Sequence, residues 1–413
     1  CEGASQKFER DDLVLPSACK SIDWKGRKAI QLSNGMIELT VLTGGGHLAE
    51  LRFATQKGRR PENTFWEAPW LTVDPDDSRF QKLANAYGPE AGKFLAGYTG
   101  HALCLDYFGA PSVEQAAAGF SIHGEASTRS WNAMPYPNPK EAACRWDVQL
   151  PQAQLRFERE IHLGNQESVA YVEERVHNQR STDHACHWVQ HVAFGTPFLS
   201  GAECSLRASA LRGKTSSVGY EDRSLLAKNR EFQWPFAPCG DGGEFAADPD
   251  VDLRQPFSVK GRGFLAGVQM DPKRKMQYVL AVNWKLRLGV GYCFRQKDFP
   301  WMAIWEENCA RQYSPWNGRS QVRGMEFGTT PMPPAPGEGF PGTKLFNTPT
   351  WCVIPTNGVK LARYLIFLVT IPAGMNSIEN VEVEGDAICL YGADGNSSFS
   401  IPAQGCEAFL AAE

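Results

Sequence analysis

Several features that would assign a function class at once are missing from this sequence. No run approaches the roughly 18 apolar residues of a membrane-spanning helix, and the most apolar segment, Tyr364 to Ile371, has only the length of a strand. Neither sign of charge dominates: 42 Lys and Arg against 46 Asp and Glu give a formal net charge of −4. With both signs spread along the chain there is no basic patch for nucleic acid and no polybasic segment for a membrane surface. The 12 cysteines include no CxxC pair and no Cys/His cluster with zinc spacing, so neither a structural metal nor a cofactor is expected. Most of them read as small buried apolar residues, and no disulfide pattern is legible. There is no repeat of fixed period, no clear linker and hardly any helical periodicity. What remains is a neutral or weakly charged small molecule as partner, with the oligomeric state unread.

At 413 residues the chain has room for two or three average domains or for one large all-β domain. The absence of a linker favours a single domain over 1–413, with a polar, irregular extension over 1–30, a core over about 30–375 and further strands over 376–413. The chain begins at Cys1 rather than Met. Such a start is left when a signal peptide is removed at a lipoprotein cysteine, giving an exported, periplasmic or lipid-anchored protein, and a trimmed cytoplasmic chain has the same appearance.

Alternation of apolar and polar residues marks strands along most of the chain. Ile37, Leu39 and Val41 share a face, Gly44 to Gly46 form a tight turn, and His47 to Phe53 return as a hairpin. Further strands are expected over 119–124, 145–150, 155–163, 168–177, 184–194, 284–294, about 349–354 and 363–371. Residues 57–115 and 200–256 are rich in Pro, Gly, Asn and Asp and read as long loops, with one short helix over 80–86. Loops of this length usually belong to a site, and their aromatic content argues against disorder. Short strands separated by turn signals predict a large antiparallel β-sandwich with long loops.

The chemistry concentrates in Trp301 to Pro333, which holds two candidate carboxylates, Glu306 and Glu326, together with Arg311, Arg319, Arg323, Trp305 and Trp316. Glu326 lies between Met325 and Phe327, so on a strand it projects away from the face those two bury. Only eight histidines occur, and three fall within His184 to His191. On a strand His187 and His191 share a face, whereas on a helix the same spacing could bind a metal. Val189, Val192 and Phe194 favour the strand. His123 ends an apolar run against Gly124, and His101 lies in the first long loop.

In that order, the Leu39 to Glu50 strand and glycine turn, His123-Gly124, Gln190 to Gly195 and Arg323 to Gly328 resemble the aldose 1-epimerase, or galactose mutarotase-like, superfamily in one of its divergent branches. The resemblance implies a sandwich whose concave face binds a sugar, and an isomerase that interconverts anomers by Glu/His acid–base catalysis. It makes Glu326 the base, His191 the general acid and His123 a second histidine that holds the ring or a hydroxyl. Glu306 stands in reserve as a base. Arg311, Arg323, Trp305, Trp316, His187 and His101 are expected to bind substrate, the arginines suiting an acidic or substituted sugar. A carbohydrate-binding protein without turnover, or a hydrolase or lyase using Glu306 with Glu326, is the alternative on the same scaffold.

Overall fold

A computed structural model describes residues 18–55, 61–136, 142–240, 250–334 and 344–412. Among these residues the strands form one sheet of 14 strands and one of 8, with smaller sheets of 3 and 2 strands. The predicted antiparallel β-sandwich is present. Side by side at the centre of the large sheet are His101–Asp106, His184–Gly195, Gln321–Gly328, Trp301–Asn308 and Arg262–Met270. The second sheet is centred on Leu288–Arg295, Val359–Thr370 and Val169–Asn178.

Side chains alternate between the faces of a strand, and the core follows from that. Trp188, Val192, Phe194, Met325 and Phe327 of the large sheet meet Val172, Val290, Ile366 and Leu368 of the second in one buried cluster. Each such side chain contributes roughly 1.5–3 kcal/mol on leaving water. The opposite face of the second sheet is buried as well. Leu365, Phe367 and Val369 pack there against Ile388 and Leu390 of the three-stranded sheet and Leu410 of the helix Cys406–Ala411. Burial on both faces explains why the strand through Tyr364 is continuously apolar rather than alternating. Among the described residues no further sheet covers the outer face of the large sheet; loop and helix segments carrying Trp66, Phe94, Tyr98 and Trp316 pack over it instead.

A polar seam joins the two sheets inside this core. Glu174 accepts hydrogen bonds from Arg159 (2.7 Å), Gln190 (2.6 Å) and the Tyr364 hydroxyl (2.9 Å). His101 lies 2.9 Å from the Gln190 side-chain oxygen Oε1 through Nε2 and 3.1 Å from the Tyr292 hydroxyl through Nδ1. Buried polar groups satisfied in this way fix how the sheets face each other.

Several sequence expectations are corrected. Residues 119–124 form turns and irregular backbone rather than a strand, and residues 284–287 turn before the strand Leu288–Arg295 begins. The segment 57–115 contains the expected helix Phe80–Ala86, but also helices Gly92–Leu95 and Val113–Ala117 and the fully buried strand His101–Asp106. Of the residues taken as irregular, 1–17 lie outside the described residues, while Ala18–Trp24 and Arg27–Ser33 pair as a hairpin. Residues 56–60 and 241–249 within the two loop-rich stretches are likewise outside the description.

The same alternation removes two expected site residues from the cleft face. On Trp301–Asn308, Met302, Ile304 and Glu306 point into the sandwich, and on Gln321–Gly328, Arg323, Met325 and Phe327 do so. Glu306 and Arg323 are cross-strand partners, each 1% exposed, and form a buried ion pair. Arg323 also donates to the carbonyls of Leu253 (2.7 Å) and Gln255 (3.2 Å), and the Phe257 N–H donates to Glu306 (2.9 Å). The pair therefore ties the 253–257 segment to the sheet and is not available to a substrate. Replacing Glu306 by Gln leaves a buried guanidinium uncompensated, and a loss of about 3 kcal/mol or more is expected in chemical denaturation. A loss below about 1 kcal/mol would mean that the pair is reached by water.

Candidate functional site

The outer face of the large sheet carries the site. Three adjacent strands send alternate side chains outward: His187, Val189, His191 and Ala193 from one, Gly324 and Glu326 from the next, Ala303 and Trp305 from the third. Gln190 pairs with Phe327 and Ala193 with Gly324, which sets His191 directly across from Glu326. Around them the floor is paved with small residues, Ala102, Cys104, Ala193, Ala303 and Gly324, so the two functional groups stand clear. Gly324 is required for a specific reason. A Cβ there would stand 2.1 Å from Glu326 Oε1, where the carboxylate rests.

Segments from the first long loop build the walls. Helix Gly92–Leu95 places Phe94, and Tyr98 follows it, with its hydroxyl 3.0 Å from His191 Nδ1. A phenol can donate to that nitrogen or accept from it, so Tyr98 supports the ring in either protonation state. His123 adopts a left-handed backbone (φ 66°) between Ser121 and Gly124. This turns its ring over the floor, 5.3 Å from that of His191. The Gly109 N–H donates to His123 Nδ1 (3.1 Å) and the Phe108 N–H to His187 Nδ1 (3.0 Å), which makes Nε2 the protonated nitrogen in both rings. An aromatic bank closes the far side, where Trp316 lies 6.3 Å from Trp66, 4.7 Å from Trp70 and 5.9 Å from Trp305.

Glu326 is 1% exposed, its Oε1 lies 3.4 Å from His191 Nε2, and that oxygen makes no hydrogen bond. A buried acceptor left without a partner is costly, and here it faces a cleft of about 1740 Å³. Seven of the expected residues line this cleft: Glu326, His191, His123, His187, Trp305, Arg311 and Trp316. Three do not. Glu306 and Arg323 form the inward ion pair, and His101 belongs to the seam between the sheets, because on the strand His101–Asp106 it shares the inward face with Leu103 and Leu105. Arg319 is exposed. Sequence reading missed Tyr98, Phe94 and Tyr220 and the Asp106–His184 pair (2.6 Å). Only the aromatic richness of the two loop regions pointed towards them. Among the described residues no group of three or more His, Cys, Asp or Glu is placed to hold a metal ion, and no helix is long and apolar enough to cross a membrane.

No protein-family model and no curated protein matches the sequence. Solved structures do match. A proposed aldose 1-epimerase from Klebsiella pneumoniae aligns over 84% of this chain and 80% of its own, with a TM-score of 0.54 and 14% identity. A galactose mutarotase-like protein from Clostridium acetobutylicum aligns over 86% and 99%, with a TM-score of 0.53 and 14% identity. The chain has the galactose mutarotase-like fold. A galactose mutarotase-related enzyme from Lactobacillus acidophilus matches in the same way, over 83% and 98% at a TM-score of 0.51 and 10% identity. At such identities the likeness is one of fold, and the roles of side chains rest on the geometry of this cleft.

Burial governs the protonation of this cleft. It pushes His191 and His187 down to about 3 and holds His123 well below the usual imidazole range, while it raises Glu326 well above the usual carboxylate range. His47 and His101, also buried, are lowered for the same reason. Unfolded histidines take up protons below about pH 6.5, whereas these five do so only at lower pH once folded, so acid favours the unfolded chain. Glu326 acts oppositely: its contribution is complete below its unfolded value, about 4.3, and is lost as pH rises through its folded value. Five histidines outweigh one carboxyl, so the melting temperature is expected to fall steadily from pH 7 to pH 4. The decline should be shallower in His191→Gln. A melting temperature that holds constant over this range would contradict the neutral buried histidines.

Proposed function

We propose that the protein is an aldose 1-epimerase-like isomerase that interconverts the anomers of a reducing sugar, with Glu326 and His191 as the acid–base pair. The observation that supports this most strongly is Glu326 Oε1, which makes no hydrogen bond and lies 3.4 Å from a histidine ring nitrogen on the floor of an aromatic-walled cleft. Tryptophan and tyrosine faces suit the apolar faces of a sugar, and imidazole N–H groups suit its hydroxyls.

Burial disfavours charge on either member of the pair, so at rest the pair holds one proton, on Glu326, beside a neutral His191. When that proton resides on His191 the pair is a carboxylate beside an imidazolium, with Tyr98 accepting from Nδ1. Sugar hydroxyls donating to Glu326 favour this arrangement. Glu326 then takes the proton from the anomeric hydroxyl while His191 gives its Nε2 proton to the ring oxygen, and the bond between C1 and that oxygen breaks. Rotation about C1–C2 in the open-chain aldehyde presents the other face of the carbonyl. Closure returns both protons, and the pair ends each turnover holding one. His123, across from His191, holds a ring hydroxyl through its Nε2–H. Glu306, on the other side of the sheet, is not placed to form a carboxylate pair with Glu326, so the glycosidase alternative built on these two residues loses its support.

Anomer exchange followed by magnetization-transfer NMR over a panel of neutral, acidic and phosphorylated sugars tests this reading. Wild type should accelerate exchange for at least one sugar, and Glu326→Gln and His191→Ala should each lower kcat by about 10² or more, the scale of one general acid or base. Measurable sugar binding without acceleration over buffer would instead make the protein a carbohydrate-binding module.

A further inference from the structure

The cleft is larger than its catalytic floor requires. Ligand pockets typically measure about 300–1,000 Å³, and this one reaches about 1740 Å³. Part of its lining lies past Trp305, whose ring stands 5.8 Å from that of His191 and 5.9 Å from the Arg311 guanidinium. Arg311 is therefore within one or two sugar rings of the reacting pair.

A second constellation is built around Arg311. Its guanidinium rests on the faces of Tyr220 (4.7 Å) and Trp316 (5.0 Å), and its Nε makes no hydrogen bond. The Tyr220 hydroxyl accepts from Trp305 Nε1 (3.1 Å) and donates to Glu307 (2.7 Å). Further out, the Tyr313 hydroxyl donates to Glu221 (2.8 Å), and the Tyr313 ring is 51% exposed. An exposed ring beside a donor and an acceptor is what a pyranose needs, since it offers an apolar face and a rim of hydroxyls.

Charge decides the class of ligand. Glu221 lies 3.6 Å and Glu307 3.9 Å from Arg311 Nε, so the guanidinium already has its counter-ions. Besides Glu326, the cleft lining carries Glu90, Asp106, Glu114 and Glu221 against two arginines. A phosphate or carboxylate gains little here, contrary to what the arginines alone suggest. We propose that Arg311, Glu221 and Tyr313 form a second sugar subsite, and that the substrate is the reducing end of a neutral di- or oligosaccharide. This inference rests on the sugar cleft proposed above, and its test is independent of turnover.

Titration calorimetry on the wild-type protein should compare glucose and galactose with reducing disaccharides that carry them at the reducing end (maltose, cellobiose, lactose) and with glucose 6-phosphate. At least one disaccharide should bind tenfold or more tightly than its reducing-end monosaccharide. Tyr313→Ala and Glu221→Ala, both at the exposed rim, should each remove most of that advantage while monosaccharide affinity stays unchanged. The subsite is overturned if no disaccharide outbinds the monosaccharides, if the phosphate ester binds tightest, or if the advantage survives in both variants. Because binding is read directly, absence of anomer exchange would overturn the proposed catalysis and leave the subsite standing.

Discussion

The pairing of His184–Gly195 with Gln321–Gly328 is the constraint on which the site depends. One register sets Gln190 against Phe327 and Ala193 against Gly324, and it thereby sets His191 against Glu326 on the cleft face. A slip of one residue between them would pair His191 with Met325 or Phe327, turning one of the two groups into the sandwich and the apolar side chains of that strand outward. The register is held by that apolar burial and by the seam in which Gln190, one residue from His191, binds Glu174 of the second sheet. The residues that stabilise the core and those that face a ligand thus alternate along the same two strands. Substitutions there bear at once on the stability of the fold and on the placement of the proposed acid–base pair.

Among the described residues three of the four faces of the two main sheets pack against another sheet, and the fourth packs under loops that enclose the cleft. The second sheet is packed on one side by the large sheet and on the other by the C-terminal strands and helix. The large sheet keeps its outer face for the cleft, with helix Gly92–Leu95 and the Trp66, Trp70 and Trp316 bank as walls. Low polarity within those walls is what shifts the protonation of Glu326 and His191 towards neutrality. The small residues of the floor perform the complementary task of leaving room for a ring above the pair.

Much of this was legible from alternation. The strands over 155–163, 168–177 and 184–194 agree closely with the structure, and the pattern around Glu326 correctly sent Met325 and Phe327 inward. The same reasoning applied to 301–308 would have sent Glu306 inward with Ile304. Its charge, and the proximity in sequence of Arg323, drew it instead into the candidate site. Charged type was a poorer guide than strand phase, because a buried ion pair satisfies both partners without solvent. His101 was misplaced because its strand is too apolar and too short to show a phase within a loop-rich stretch. Tyr98 and Phe94 were invisible for another reason. They reach the site through chain folding across some 90 residues, and no local pattern records such a contact.

The central claim is that Glu326 and His191 act together on the anomeric centre of a sugar. A crystal structure with a bound reducing sugar tests it most directly. The account predicts the anomeric oxygen within hydrogen-bonding distance of Glu326, the ring oxygen facing His191 Nε2, and a sugar face against Trp305. A sugar seated in the cleft with its anomeric carbon turned away from both residues, or bound outside the cleft, would contradict it.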